Sequence, residues 1–268
     1  MTLCLRTLAL QTLIISDPQL KFTQVQSLWE SHRAGHLQLN PSLQLVAEAP
    51  VPGRPLRPAL VAPKLLKRRA MNTVEGRAAL IHALAHIEFN AINLALDAVW
   101  RFTDMPADYY NDWLLVAKEE AYHFSLLRQH LQSLGFDYGD FDGHNSLWEM
   151  VEKTQSDVLA RMALVPRTLE ARGLDAAPPL KNKLAQAGDH AAAAILDIIL
   201  HDEIGHVAIG NRWFQFLCGQ RGVDFLETFE SLRQQYQAPK LRPPFNMEAR
   251  KLAGFTEAEL AYLNADTL

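Results

Sequence analysis

From residue 72 onward apolar side chains recur at three- and four-residue spacing over runs too long for strands, and no stretch alternates with the two-residue period of a sheet. Thr73 predicts an N-cap for a helix reaching Phe102, stopped at Thr103, Asp104, Met105 and Pro106. Pro106 suits the first turn of a second helix that continues to Leu134, with Gly135 as its C-cap. After a turn-rich stretch over 135–145, a third helix is expected over 146–172, ended by Gly173, and a fourth over 189–218, ended by Gly219. Between those two, 173–179 reads as extended chain and 180–187 as a short helix. Helices of about 25 to 30 residues with short connections predict an all-α fold, an antiparallel four-helix bundle over 72–219.

The flanks read differently. Residues 1–50 hold two short apolar-periodic runs, enough for one or two extra N-terminal helices. Residues 51–71 form a Pro-rich basic arm, with Pro52, Pro55, Pro58 and Pro63 precluding a regular helix and six basic residues from Arg54 to Arg69 uninterrupted by an acid. Residues 220–268 form a C-terminal extension, Pro-interrupted from 237 and ending in a short helix over 256–264.

Composition narrows the class. The chain of 268 residues is 49% hydrophobic and 21% charged with a formal net charge of −4, which excludes a disordered or collagen-like chain and argues against broad coating of nucleic acid. No run approaches about 18 uninterrupted apolar residues, and the mildly apolar start carries Arg6 and Gln11 without a small-residue cleavage site, so neither a membrane span nor a signal peptide is read. Cys4 and Cys218 offer no disulfide framework and no metal knuckle, which fits a cytoplasmic setting.

Carboxylates then fall where a core should be. The first stripe, Ile81, Leu84, Ala91, Ile92, Ala95 and Val99, is broken by Glu88, and the second by Glu120 and His123. The third stripe, Leu159, Ala163 and Pro166, runs into Glu170, and the fourth, Leu196, Ile199, Gly210 and Trp213, is broken by Glu203 and His206. Burying an ionised carboxylate without a partner costs several kcal/mol, and the neighbouring inward positions hold no Lys or Arg. A bound cation is the remaining partner. Hard oxygen donors with two imidazoles and no thiolate favour iron or manganese, with zinc as a third option.

Spacing sharpens the expectation. Glu120/His123 and Glu203/His206 are i,i+3 pairs that present both side chains on one helical face. Fewer than one such pair is expected by chance from 15 Glu and 10 His in 268 residues, and two occur. Each has a stripe-breaking Glu upstream, 32 residues before Glu120 and 33 before Glu203, as in a duplicated helical hairpin. One Glu from each of two helices plus Glu-x-x-His from each of the other two is the ligand set of di-iron and di-manganese carboxylate bundles. Glu88 and Glu120 fall at one height in a simple hairpin. Glu170, only three residues before the expected helix end, falls out of level with Glu203, so Glu149 and Glu152 stand as substitutes. Glu119 and Asp202, each preceding a ligand Glu, are candidates to accept the remaining ring N–H of a ligand histidine. Phe89 and Phe124, next to ligand positions, are candidate walls of an oxygen or substrate pocket, while Trp100, Trp113 and Trp213 read as core. His82, His86, His190 and His201 read as core or surface histidines.

The runs EGRAALIHALAHIEFNAINLALDAVWRF (75–102), KEEAYHFSLLRQHL (118–131), ARMALVPRTLEARGLD (160–175) and ILHDEIGHVAIGNRWF (199–214) resemble the ferritin-like superfamily. With PGRPLRP (52–58) and PPFNMEARKLAGFTEAEL (243–260), they look more closely like a bacterial ferritin-like family of unassigned function, related to the tRNA 2-methylthio-isopentenyladenosine hydroxylase. The resemblance maps Glu88, Glu120, His123, Glu170, Glu203 and His206 onto di-iron ligand positions and likens Glu119-Glu120 and Asp202-Glu203 to the double acids of oxygen-activating members. It implies a di-iron, di-manganese or mixed-metal oxidoreductase, a hydroxylase or monooxygenase, with Glu120 and Glu203 bridging two iron ions. Electrons would come from a partner reductase, because the chain has no flavin or nicotinamide motif. Kinship suggests a modified tRNA base as substrate, with Arg57, Lys67 and Arg68 as phosphate contacts; a small molecule is the other option. Iron-oxidising or peroxide-consuming metal handling, and a non-enzymatic helical adaptor, are the competing readings.

Overall fold

The computed structural model describes residues 3–67 and 69–265, and the chain divides into two compact units, Met1–Asn145 and Ser146–Leu268. Both are predominantly helical, as the periodicity requires.

In the first unit α1 (Leu5–Leu13) and α2 (Pro18–Arg33) pack on α3 (Val74–Arg101) and α4 (Ala107–Ser133) respectively. Asp17 caps α2 through Leu20 N and Thr73 caps α3 through Gly76 N, as short polar residues at N-caps do. The third and fourth helices of the unit form a tight antiparallel pair joined by five residues. The α3 helix is long and apolar enough to cross a membrane by length and composition, with 72% of its most apolar window buried inside the fold. A two-residue parallel ladder, β1 (Leu3–Cys4) with β2 (Leu37–Gln38), is the one paired strand element among the described residues and was not expected from the sequence. Buried Arg6 ties these parts together by donating to the carbonyls of Val99, Trp100, Asn40, Pro41 and Leu43 at 2.6–3.3 Å. Buried Lys21 donates to Leu13 O, Gly53 O and Asn93 Oδ1, and so anchors the start of the arm. Among its described residues the arm is irregular apart from a 3₁₀ turn, Pro63–Leu65, and is pinned further along by Val61 N to Gly143 O and Gly143 N to Ala59 O, both 2.9 Å.

The second unit departs from the expected pattern. The expected helix over 146–172 is broken into α5 (Ser146–Lys153) and α6 (Val158–Leu164), because Thr154 bonds back to Met150 O and Asp157 starts a new helix by capping Leu159 N. Arg161 closes the gap by donating to Thr154 Oγ1 and Val151 O. One π turn, Val165–Glu170, follows α6 where Pro166 supplies no N–H, and it leads directly into α7 (Ala171–Gln186). Gly173 therefore does not end the helix, and 173–179 is not extended. Even Pro178 and Pro179 lie within α7. The carbonyl of Leu174, whose usual partner would be the missing N–H of Pro178, accepts instead from Asn246 Nδ2 at 3.2 Å. Burial of Leu174, Ala177 and Leu184 outweighs the poor helix propensity of this stretch.

The long α8 (His190–Arg221) is capped by Asp189 and passes through Gly219, ending instead at Gly222, which takes the left-handed conformation at φ 65°. Two helices not foreseen, α9 (Phe225–Gln235) and α10 (Met247–Leu252), precede the expected terminal one, α11 (Glu257–Ala265). The C-terminal extension builds its own core, in which Leu241, Ala249, Phe255, Leu260 and Leu263 pack with Ala171, Leu174 and Val207.

Candidate metal centre

The α3–α4 hairpin places its acids by simple arithmetic. Glu88 lies 13 residues before the end of α3 and Glu120 lies 13 residues into α4, each about 20 Å from the turn. The three ligand candidates of this unit come together: one donor atom from each of Glu88, Glu120 and His123 lies within 4.8 Å of the others. His123 Nδ1 stands 3.6 Å from Glu88 Oε2 and 3.5 Å from Glu120 Oε2. These separations are long for hydrogen bonds. They suit donors sharing an ion, since two ligands each about 2.1 Å from a metal and about 110° apart stand about 3.4 Å from one another.

Burial makes the electrostatics one-sided. Glu120 and His123 are wholly buried and Glu88 is 4% exposed, and Glu88 Oε2 accepts no hydrogen bond. Loss of hydration, reinforced by the Glu120 carboxylate and opposed by His123, pushes the Glu88 carboxyl up to about 8. A divalent cation relieves that cost, and the donor set of two carboxylates and one imidazole is one that iron, manganese or zinc accepts.

In the second unit Glu203 and His206 pair on α8, and Glu170 ends the π turn that leads into α7. The helix that follows without a break puts Glu170 16 residues before the end of α7, while Glu203 lies 13 residues into α8, so the difference in level shrinks to three residues, about 4.5 Å. Glu203 and His206 lie on one face, with His206 Nδ1 3.9 Å from Glu203 Oε2. Glu170, Glu203 and His206 are all buried, whereas Glu149 and Glu152 are exposed, which leaves Glu170 as the inward acid of its helix. Glycine at 210 is what lets α8 approach the π turn, since a Cβ there would stand 2.6 Å from Pro166 Cβ.

Residues 14–261 match the family described as "protein of unknown function (DUF455)", a span that includes the arm and all six candidate ligands. The chain belongs to the DUF455 family. It is also 46% identical over 257 residues to an uncharacterized protein of Haemophilus influenzae, across 92% of this chain and 89% of the relative. No solved structure matches the chain. In this DUF455 protein the buried Glu/His group is a site that could hold a metal ion.

The remaining candidates are dispersed. Glu119 and Asp202 are half-buried beside the candidate ligands Glu120 and Glu203. Phe89 and Phe124 pack on one another at 5.5 Å and both pack on Tyr138, at 5.4 and 5.1 Å, in an aromatic cluster. Arg57 and Lys67 are exposed on the arm, and Arg68 lies outside the described residues. His190 and His201 are exposed, while His82 and His86 are buried in a network. His82 Nε2 accepts from Gly139 N at 2.9 Å. His86 Nε2 donates to His144 O at 3.0 Å, so its Nδ1 accepts from the Tyr138 hydroxyl at 2.8 Å. Tyr138, in the 135–145 connection, was missed because nothing in a turn-rich stretch signals which aromatic turns inward.

Proposed function

We propose that this protein is a ferritin-like dinuclear metal–carboxylate oxidoreductase, its ligands drawn from the Glu and Glu-x-x-His sets of two helical hairpins. Glu88, Glu120 and His123 would come from the first and Glu170, Glu203 and His206 from the second, holding two iron ions, with manganese as the alternative. Support comes chiefly from the close approach of Glu88, Glu120 and His123 with no buried Lys or Arg on their stripes. The repetition of Glu before α7 and Glu-x-x-His on α8 adds a second half of the same chemistry.

When bound, such a pair of ferrous ions supplies the electrons for reductive activation of dioxygen and so for hydroxylation of an organic substrate. The chain's own residues fix donor positions on rigid helices and exclude water with the surrounding apolar stripes. Glu119 and Asp202 would orient ligand imidazoles through their second nitrogen. A separate reductase would re-reduce the centre. The sequence resemblance would make a modified tRNA base the substrate class, with exposed Arg57 and Lys67 as the phosphate contacts.

The test is stoichiometric oxygen uptake. Protein loaded anaerobically with two equivalents of ferrous iron should consume about one dioxygen per two iron ions, faster than iron in buffer, and Glu120→Ala should abolish the acceleration. Iron bound but oxidised no faster than in buffer would refute oxygen activation. Faster turnover of hydrogen peroxide than of dioxygen would favour peroxide-consuming metal handling.

A further inference from the structure

Glu170 is the last residue of the π turn, where the α-helical bonding pattern is interrupted. A single widened turn gives up part of the α-helical bonding pattern and persists where its surroundings hold it. Within the turn, Thr168 Oγ1 donates to Ala163 O at 2.7 Å. The rest of the support comes from the far end of the chain.

Arg167, three residues before Glu170, is 2% exposed. Its guanidinium is enclosed by the rings of Phe214, Phe229 and Phe255 at 4.9, 4.7 and 5.2 Å and forms an ion pair with Glu259 of α11. The other oxygen of Glu259 is fixed by Thr256, through N at 2.7 Å and Oγ1 at 2.8 Å, in a capping box that orients the carboxylate. Asn211 of α8 approaches Arg167 Nη1 at 3.5 Å and donates to Ala253 O at 2.7 Å. On the other side of Glu170, Arg250 holds Asp175 with two bonds of 3.0 and 2.6 Å and reaches Ala171 O at 3.4 Å. Asn246 N also donates to Asp175, at 2.9 Å.

We propose that the C-terminal extension is a clamp on the π turn, in which Glu259 through Arg167, and Arg250 through Asp175, are positioning residues for the metal ligand Glu170. The proposal rests on the reading of Glu170 as a ligand. Its chemical logic is that a rigid ion pair in an aromatic enclosure fixes a backbone segment more tightly than apolar packing alone. An extension that only contributed stability would need no buried charges at this place, since apolar replacements of a buried pair are often neutral for stability.

That difference supplies the test. Glu259→Gln alone leaves a buried guanidinium without its carboxylate and can unfold the unit. The double variant Arg167→Met/Glu259→Gln removes both charges and keeps an apolar side chain among the three rings. Full-length protein, wild type and double variant, is titrated anaerobically with Co(II), reading visible absorption for coordination and equilibrium dialysis for affinity, and thermal midpoints are compared in the metal-free state. The expected result is a midpoint close to wild type, with Co(II) affinity about 10- to 100-fold weaker and an altered visible spectrum. Arg128→Ala, which breaks an ion pair with Asp137 in the first unit, should leave both readouts unchanged. Wild-type affinity and spectrum in the folded double variant would overturn the clamp and leave the metal site standing. Failure of the wild type itself to bind Co(II) or iron would overturn both.

Discussion

Replacing Glu88 by Gln should stabilise the protein when it is stripped of metal and weaken it when metal is supplied. The Glu88 carboxyl is buried beside Glu120, and its pKa stands at about 8 against an ordinary 4.5. Between those values the folded chain retains a proton that the unfolded chain has released. Stability of the metal-free protein therefore falls as pH rises from 4.5 through about 8 and is flat above. At pH 7 the accumulated cost is about 3 kcal/mol. Glutamine has nearly the same shape and does not ionise. Metal-free Glu88→Gln should gain up to about 3 kcal/mol at pH 7, or about 6–12 °C in thermal midpoint for a chain of this size, and almost nothing near pH 4.5. With Mn(II) added the order should reverse, because the parent gains stability by binding and the variant has lost a donor. Thermal unfolding of chelator-treated protein at pH 5, 6, 7 and 8, with and without Mn(II), measures all of this. A variant less stable than its parent at every pH without metal would refute the reasoning and make Glu88 an ordinary acceptor of the fold.

Other perturbations test other parts. Gly210→Ala puts a Cβ against the rigid ring of Pro166 and should cost about 1–3 kcal/mol despite the better helix propensity of alanine, measured by urea unfolding. His82 and His86 are held near pKa 4 mainly by burial, below the ordinary 6.5. The unfolded chain takes up these protons first, so stability should be full above pH 6.5 and decline toward pH 4, by at most about 3 kcal/mol per ring, and His86→Gln should flatten part of that slope in the same assay. Arg57→Ala/Lys67→Ala should weaken tRNA binding and reduce its salt dependence without changing metal content; unchanged binding by filter assay would remove the arm from the substrate site.

The first hairpin was readable from the chain because its signals are local. Thr73, the 103–106 stop and Gly135 bound two long helical stripes, and acids in a stripe are visible without tertiary information. The second hairpin was only half readable. Gly173 and the Pro178-Pro179 pair are strong local stop signals, and what overrides them is distant: Asn246 satisfies the carbonyl of Leu174, and the extension buries the face of α7. The same stop signals put Glu170 three residues from a helix end, whereas the chain continues as helix for 16 residues beyond it. The break at Thr154 was locally written in the polar run 154–157, where Asp157 is a competent cap, but the apolar period continuing on both sides masked it. The Arg167–Glu259 pair lay out of reach, because 92 residues separate two charges whose individual settings look ordinary.

The central claim is a dinuclear metal centre, and metal content tests it most directly. Protein purified without added metal, alongside Glu120→Ala/Glu203→Ala, should be analysed for iron, manganese and zinc per chain. The account predicts close to two iron or manganese ions per wild-type chain and none in the double variant. A folded wild-type protein that carries no metal and takes up no iron would contradict it.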